Sequence, residues 1–188
     1  MILRLFQRDP RFATISRLYG AIVAQARQPE FYRSYGVPDS LDGRFEMILL
    51  HTVLVVRRMR REGRAGQELG QAIFDRFCSD MDGSLREMGV GDLKVPKQMQ
   101  KVGAAFYERQ EGYDTALTMS GGAVDDDAVA AQVQRNFSGL PPVGAKSLAA
   151  YIRQAAQRLE DQPASVLSSG QIAFPDVGSG PLATEAER

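Results

Sequence analysis

His51 is the only histidine and Cys78 the only cysteine in a chain of 188 residues, so imidazole or thiol chemistry has one address each. A hydrolase triad would have to use His51, yet no Gly-x-Ser-x-Gly elbow accompanies it. His51 lies in the most apolar stretch of the chain, where a hydrogen-bonded core imidazole is the plain reading and a haem or metal ligand the sharper one. Asp80-Met81-Asp82 has the look of a chelating pair. Residues two apart on a helix point about 200° away from each other, however, so Asp82 is expected to pair with Arg86 at i,i+4 instead. Gly89-Val90-Gly91-Asp92 lacks the third glycine and the preceding strand of a dinucleotide loop and reads as a helix end and turn. Cys78 sits inside a long helical stripe with no clear cationic partner and reads as a structural thiol.

Two surface features remain. Arg57, Arg58, Arg60 and Arg61, with Arg64 beyond, form the densest local charge, suited to phosphate or lipid headgroups if it is not simply a solvated helix end. Phe31, Tyr32 and Tyr35 with Val37 either cover the core or form a contact surface, and Met81, Met88, Met99 and Met119 offer adaptable apolar area wherever they are exposed. From these we take Phe31, Tyr32, Tyr35, Val37, Met81 and Met88 as a candidate apolar contact set and the four arginines as candidate phosphate or headgroup contacts. No catalytic residue, metal site, cofactor or small-molecule substrate is expected.

The elements that must position these residues follow from apolar spacing. Asp9-Pro10 opens a first helix with Phe12, Ile15, Leu18, Tyr19, Ile22, Val23 and Ala26 inward, and Pro29 stops it. Ser40 or Asp39 caps a second helix, apolar on nearly every side from Phe45 to Val56, which makes it the central one. Its β-branched run also fits a buried strand, but no alternating neighbour exists to pair with it. Leu69, Ile73, Phe77, Met81, Leu85 and Met88 mark a third helix over 67–88, with Gly83 as a weak point. Val95-Pro96 opens a fourth, with a short separate helical piece expected after Gly112. Asp125 to Asp127 start another, ended by Gly139-Leu140-Pro141-Pro142, and a last one runs over 145–161. The expectation is an all-α single domain of about six or seven helices over 1–161 and a flexible tail, rich in Ser, Gly, Pro and Ala, over 162–188.

Lys plus Arg and Asp plus Glu both number 23, so no global field draws the chain to nucleic acid or anionic lipid. One cysteine excludes an internal disulfide and fits a reducing compartment. No stretch reaches the roughly 18 apolar residues of a membrane span, and Arg4 and Arg8 interrupt the start where a signal peptide would be apolar. A cytoplasmic location follows as an expectation.

The stretch from Ala24 to Met59 and that from Asp80 to Met99 together resemble the ubiquinol–cytochrome c chaperone family. The residues that carry the likeness are Phe31-Tyr32, Gly36-Val37-Pro38-Asp39, Gly43-Arg44-Phe45-Glu46, His51, Asp80-Met81-Asp82, Leu85-Arg86-Glu87-Met88-Gly89 and Gly91-Asp92. The likeness covers about 19–113. It implies a non-enzymatic chaperone that binds newly made cytochrome b during assembly of ubiquinol–cytochrome c reductase. Mitochondrial members work with a small partner protein and associate with the ribosome. The resemblance therefore implies Phe31, Tyr32, Tyr35, Val37, Met81 and Met88 as candidate client-binding residues, the four arginines as candidate ribosome or membrane contacts, and peripheral attachment to the cytoplasmic face of the inner membrane. The lack of a targeting extension makes a bacterial member the expectation. The competing reading is a helical regulatory or nucleic-acid-binding module that uses Arg57 to Arg61.

Overall fold

A computed structural model describes residues 10–118 and 124–178. Among these residues all regular structure is helical: α1 (Pro10–Ala26), α2 (Pro29–Arg33), α3 (Leu41–Met59), α4 (Gly63–Glu87), α5 (Val95–Ala116), α6 (Asp126–Asn136), α7 (Pro142–Glu160) and α8 (Ala164–Ser168). Six are long, and α2 and α8 are single turns of five residues. None is long and apolar enough to cross a membrane.

The apolar helix α3 is central, as its composition requires, and packs against α1, α4, α5 and α7, while α6 lies on α7 and α5. It begins a turn before Phe45 because the Ser40 hydroxyl accepts the Gly43 amide at 3.1 Å and caps the helix there. Pro29 ends α1 and then opens α2, since a proline costs nothing in a first helical turn. The α4 helix passes Gly83 without a break. It closes in the expected turn, the Val90 and Gly89 amides donating to the Leu85 and Arg86 carbonyls at 3.0 and 2.9 Å.

Two expectations are corrected. The separate piece after Gly112 does not exist, because α5 runs unbroken to Ala116. A Cβ at Gly112 would meet the end of the Gln132 side chain of α6, a flexible group that can shift aside. The flexible tail does not begin at 162. Leu167 is buried, and Ile172, Phe174 and Val177 lie against the core. Gln162 grips Ala173 at both polar atoms, its Oε1 accepting the amide at 2.8 Å and its Nε2 donating to the carbonyl at 2.9 Å. Gln25 holds the Pro175 carbonyl at 3.2 Å. Side-chain amides thus supply the backbone partners that composition alone does not reveal. Residues 179–188 of the expected tail lie outside the described residues.

Removing everything after Gly170 is therefore expected to cost about 2 kcal/mol, which is a fall of about 5 °C in a domain of this size. A melting temperature unchanged within a degree would mean that residues 171–178 contribute nothing to the fold.

Candidate functional site

His51 is fully buried on α3 and completely satisfied. Its Nδ1–H donates to the Met47 carbonyl at 2.8 Å. That carbonyl can only accept, so Nε2 is the bare nitrogen, and it takes the Tyr151 hydroxyl at 2.8 Å. Gln25 donates to the Tyr151 oxygen at 2.9 Å, and Phe31, Tyr151 and Phe174 ring the imidazole at centroid distances of 5.7, 5.7 and 5.2 Å. With both nitrogens engaged and no opening, the core reading holds. Burial lowers the imidazole pKa from 6.5 to about 4. Because the unfolded chain binds the proton more readily, the stabilisation is complete above pH 6.5 and is lost as pH falls from there to about 4. It amounts to on the order of 3 kcal/mol. Urea titrations at pH 7 and pH 4.5 should show this loss in the native protein and a much smaller one in His51→Gln. Equal losses would place the acid sensitivity elsewhere.

The aromatic stretch is core cover. Phe31, Tyr35 and Val37 are buried, with Phe31 in edge contact with Tyr35 and Tyr151 at 5.6 and 4.8 Å. They present no contact surface, since α2 exists to turn Phe31 inward. Tyr32 is half-buried and donates to the Ala26 carbonyl at 2.9 Å. The arginine cluster is likewise engaged within the fold. Arg57 pairs with Asp114 at 3.0 Å and Glu160 at 3.4 Å, and Arg58 with Glu62. Arg60 reaches Asp114 at 3.0 Å and Arg61 reaches Glu160 at 2.7 Å. Arg57 and Arg58 are mostly buried, so neither offers its charge to an outside surface. Arg60 and Arg61 are half-exposed but already paired. Met119 lies outside the described residues, and Cys78 is half-buried with its thiol pushed up by desolvation.

Met81 and Met88 have a different position. They line an open groove of about 530 Å³ between the start of α3, the end of α4 and the start of α5, together with Leu41, Phe45, Ile48, Leu85 and Val102. Leu41 and Met88 are 72% and 53% exposed. Phe45, Leu85, Val102 and Asp42 are shared with an adjoining cleft of about 470 Å³, whose far wall is polar: Glu46, Gln98, Lys101, Arg109 and Asn136. Glu46 and Arg109 join α3 to α5 by two hydrogen bonds, 2.9 and 3.3 Å, largely shielded from water. Burial pushes the Glu46 carboxyl up against the pull of that guanidinium.

The frame of the groove is built from short motifs far apart in sequence. Gly43 lets α3 press against Pro38, whose carbonyl would collide with any Cβ there. Asp39 and Arg44 pair at 2.6 Å at this corner. Tyr19 donates to Asp80 at 2.9 Å and ties α4 to α1, while Arg86 holds Asp82 at 2.7 Å and Asp92 beyond the turn. The expected Asp82–Arg86 pair is present.

These motifs are the ones that carry the family likeness, and comparison with known sequences agrees: residues 33–174 match the family described as Ubiquinol-cytochrome C chaperone. The chain belongs to that family. The chaperone-family chain is 27% identical over 147 residues to ubiquinol-cytochrome-c reductase complex assembly factor 1 of Xenopus laevis, covering 77% of this chain and 71% of that protein. It is 27% identical over 162 residues to the Homo sapiens protein of that name, covering 84% of this chain but only 52% of the human one. The chain thus spans about half the length of its human relative. The crystal structure of the Cbp3 homolog from Brucella abortus superposes with a TM-score of 0.80 at 41% identity, covering 94% of this chain and 98% of that one.

Met81 and Met88 differ from the other expected contact residues in lining the groove, beside Leu41, Phe45, Ile48, Leu85 and Val102, which apolar spacing alone does not single out. Leu41 directly follows the Ser40 cap, but that position alone does not mark it as exposed, since Val95 likewise opens α5 and is buried.

Proposed function

We propose that this chain is a non-enzymatic assembly factor for ubiquinol–cytochrome c reductase that holds newly made cytochrome b through the groove between α3, α4 and α5. One observation carries the reading: residues of motifs scattered from Pro38 to Met88 line two adjoining open clefts that share the partly exposed apolar side chains Phe45, Leu85 and Val102. Names of the relatives support the reductase assembly role. Large apolar side chains left in water are the physical signature of a surface meant for an apolar partner, and methionine adapts to more than one. A cytochrome b segment awaiting the membrane presents roughly 20 apolar residues. Leu41, Met81 and Met88 supply the contact, while Glu46 and Arg109 keep the groove walls in register. No catalytic step is assigned to it.

Capture of cytochrome b from solubilised membranes by the tagged protein tests this. Replacing Leu41 and Met88 by Asp puts charge on two exposed apolar contacts, so capture is expected to fall at least tenfold, the equivalent of about 1.4 kcal/mol, at an unchanged melting temperature. Full capture by the folded double variant would remove the groove from the proposal, and absence of cytochrome b with the native protein would remove the client.

A further inference from the structure

Three of the chain's four lysines, Lys94, Lys97 and Lys101, fall within eight residues at the start of α5. All three are exposed, and among the described residues none makes a side-chain ion pair or hydrogen bond. The charge of Arg57 to Arg61, by contrast, is met by acids of the same fold. No acidic residue occurs on α5 from Val95 to Tyr107 to answer the lysines. Directly before them stands Leu93, 98% exposed at the tip of the α4–α5 turn, with half-exposed Met88 at its other side. Asp92 is engaged by Arg86, which leaves Glu87 as the one unpaired acid of this turn.

We propose that the α4–α5 turn is a membrane-surface contact, with Leu93 and Met88 entering the headgroup layer of an anionic bilayer and Lys94, Lys97 and Lys101 meeting its phosphates. A fully exposed leucine on an ordered turn is stabilised by entering a lipid interface, and lysine stems can lie along apolar chains while their ammonium groups stay at headgroup level. Each lysine near an anionic surface contributes roughly a fivefold gain in partition. Nucleic acid fits the turn less well. No aromatic side chain lies between Glu87 and Lys101 on which a base could stack, and Leu93 has nothing to do against phosphate. The net charge of zero leaves such a local patch as the source of attraction and makes the contact oriented. Met88 and Lys101 also line the two clefts described above, so this orientation would place their mouth beside the bilayer.

Flotation of the full chain with phosphatidylcholine vesicles, with and without about one third phosphatidylglycerol, tests this without any client. The protein is expected to float with the anionic vesicles and to dissociate as salt rises. Joint replacement of Lys94, Lys97 and Lys101 by Gln should lower the partition at least tenfold. Leu93→Ser should lower it severalfold with the salt dependence retained, and Arg60→Gln with Arg61→Gln should leave it unchanged. All these side chains are exposed or half-exposed, so an unchanged melting curve is expected to accompany each variant. Failure of the native chain to float overturns the proposal, as does equal flotation by the triple lysine variant. So does binding that appears only with ribosomal RNA and is lost in that same variant. None of these outcomes touches the cytochrome b reading, which capture from membranes decides separately.

Discussion

Phe31→Ala is expected to lower the melting temperature by about 10 °C and the unfolding free energy by about 3–5 kcal/mol. The ring is fully buried and meets Tyr35, Tyr151 and His51, aromatic groups brought from α3, α7 and the segment after α2. Its loss leaves a hole beside the imidazole that those anchored rings cannot close, because His51 and Tyr151 are held by hydrogen bonds. Tyr32→Phe, one residue away, should cost about 1 kcal/mol, the worth of its single bond to the Ala26 carbonyl. Thermal and urea unfolding of the two variants side by side checks both figures. If Phe31→Ala melts within a couple of degrees of the native protein, the stretch is not core cover and its place as a client surface is restored.

Arg58→Gln is expected to cost about 3–5 kcal/mol, while the same change at Arg60 or Arg61 costs less than about 1. Arg58 has a side chain 7% exposed. It donates to the Leu159 and Gln162 carbonyls, at and just beyond the end of α7, at 2.9 and 3.0 Å, and it also faces Glu62. Glutamine is too short to reach both carbonyls and leaves the acid uncompensated. Arg60 and Arg61 sit half in water, where removing a paired charge changes little. Denaturant midpoints of the three single variants decide the matter, and three equal values would contradict the division of this cluster into buried tie and exposed rim.

The helices were readable where one residue type repeated on one face. Leu69, Ile73 and Phe77 placed α4, and the unbroken apolar run after Phe45 identified α3 as central. Function was less legible because its signals are relations between distant residues. The charge of Arg57 to Arg61 is plain in the sequence, but Asp114 and Glu160, which neutralise it, lie far along the chain. Phe31 and Tyr35 look like a surface until Tyr151 comes to meet them. Gly112 reads as a helix breaker, yet α5 runs through it to Ala116. A balanced charge total likewise hides where the unpaired lysines sit.

The meeting of the two ends of the described fold has a further consequence. Arg17 on α1 donates to the Ser169 carbonyl across 152 positions, and Gln25 reaches Pro175 across 150. Phe174, from the same late segment, is the edge that seals His51. Synthesis runs from the first residue to the last, so α1 can settle on α3 and α4 early, but the side of His51 that Phe174 covers stays open until residues 169–175 emerge. A helical protein of local contacts can fold as it is made; this one cannot complete its core before residues 169–175 have been translated. A stalled or prematurely ended chain would lack that closure, and quality control can recognise it by the apolar surface it still displays.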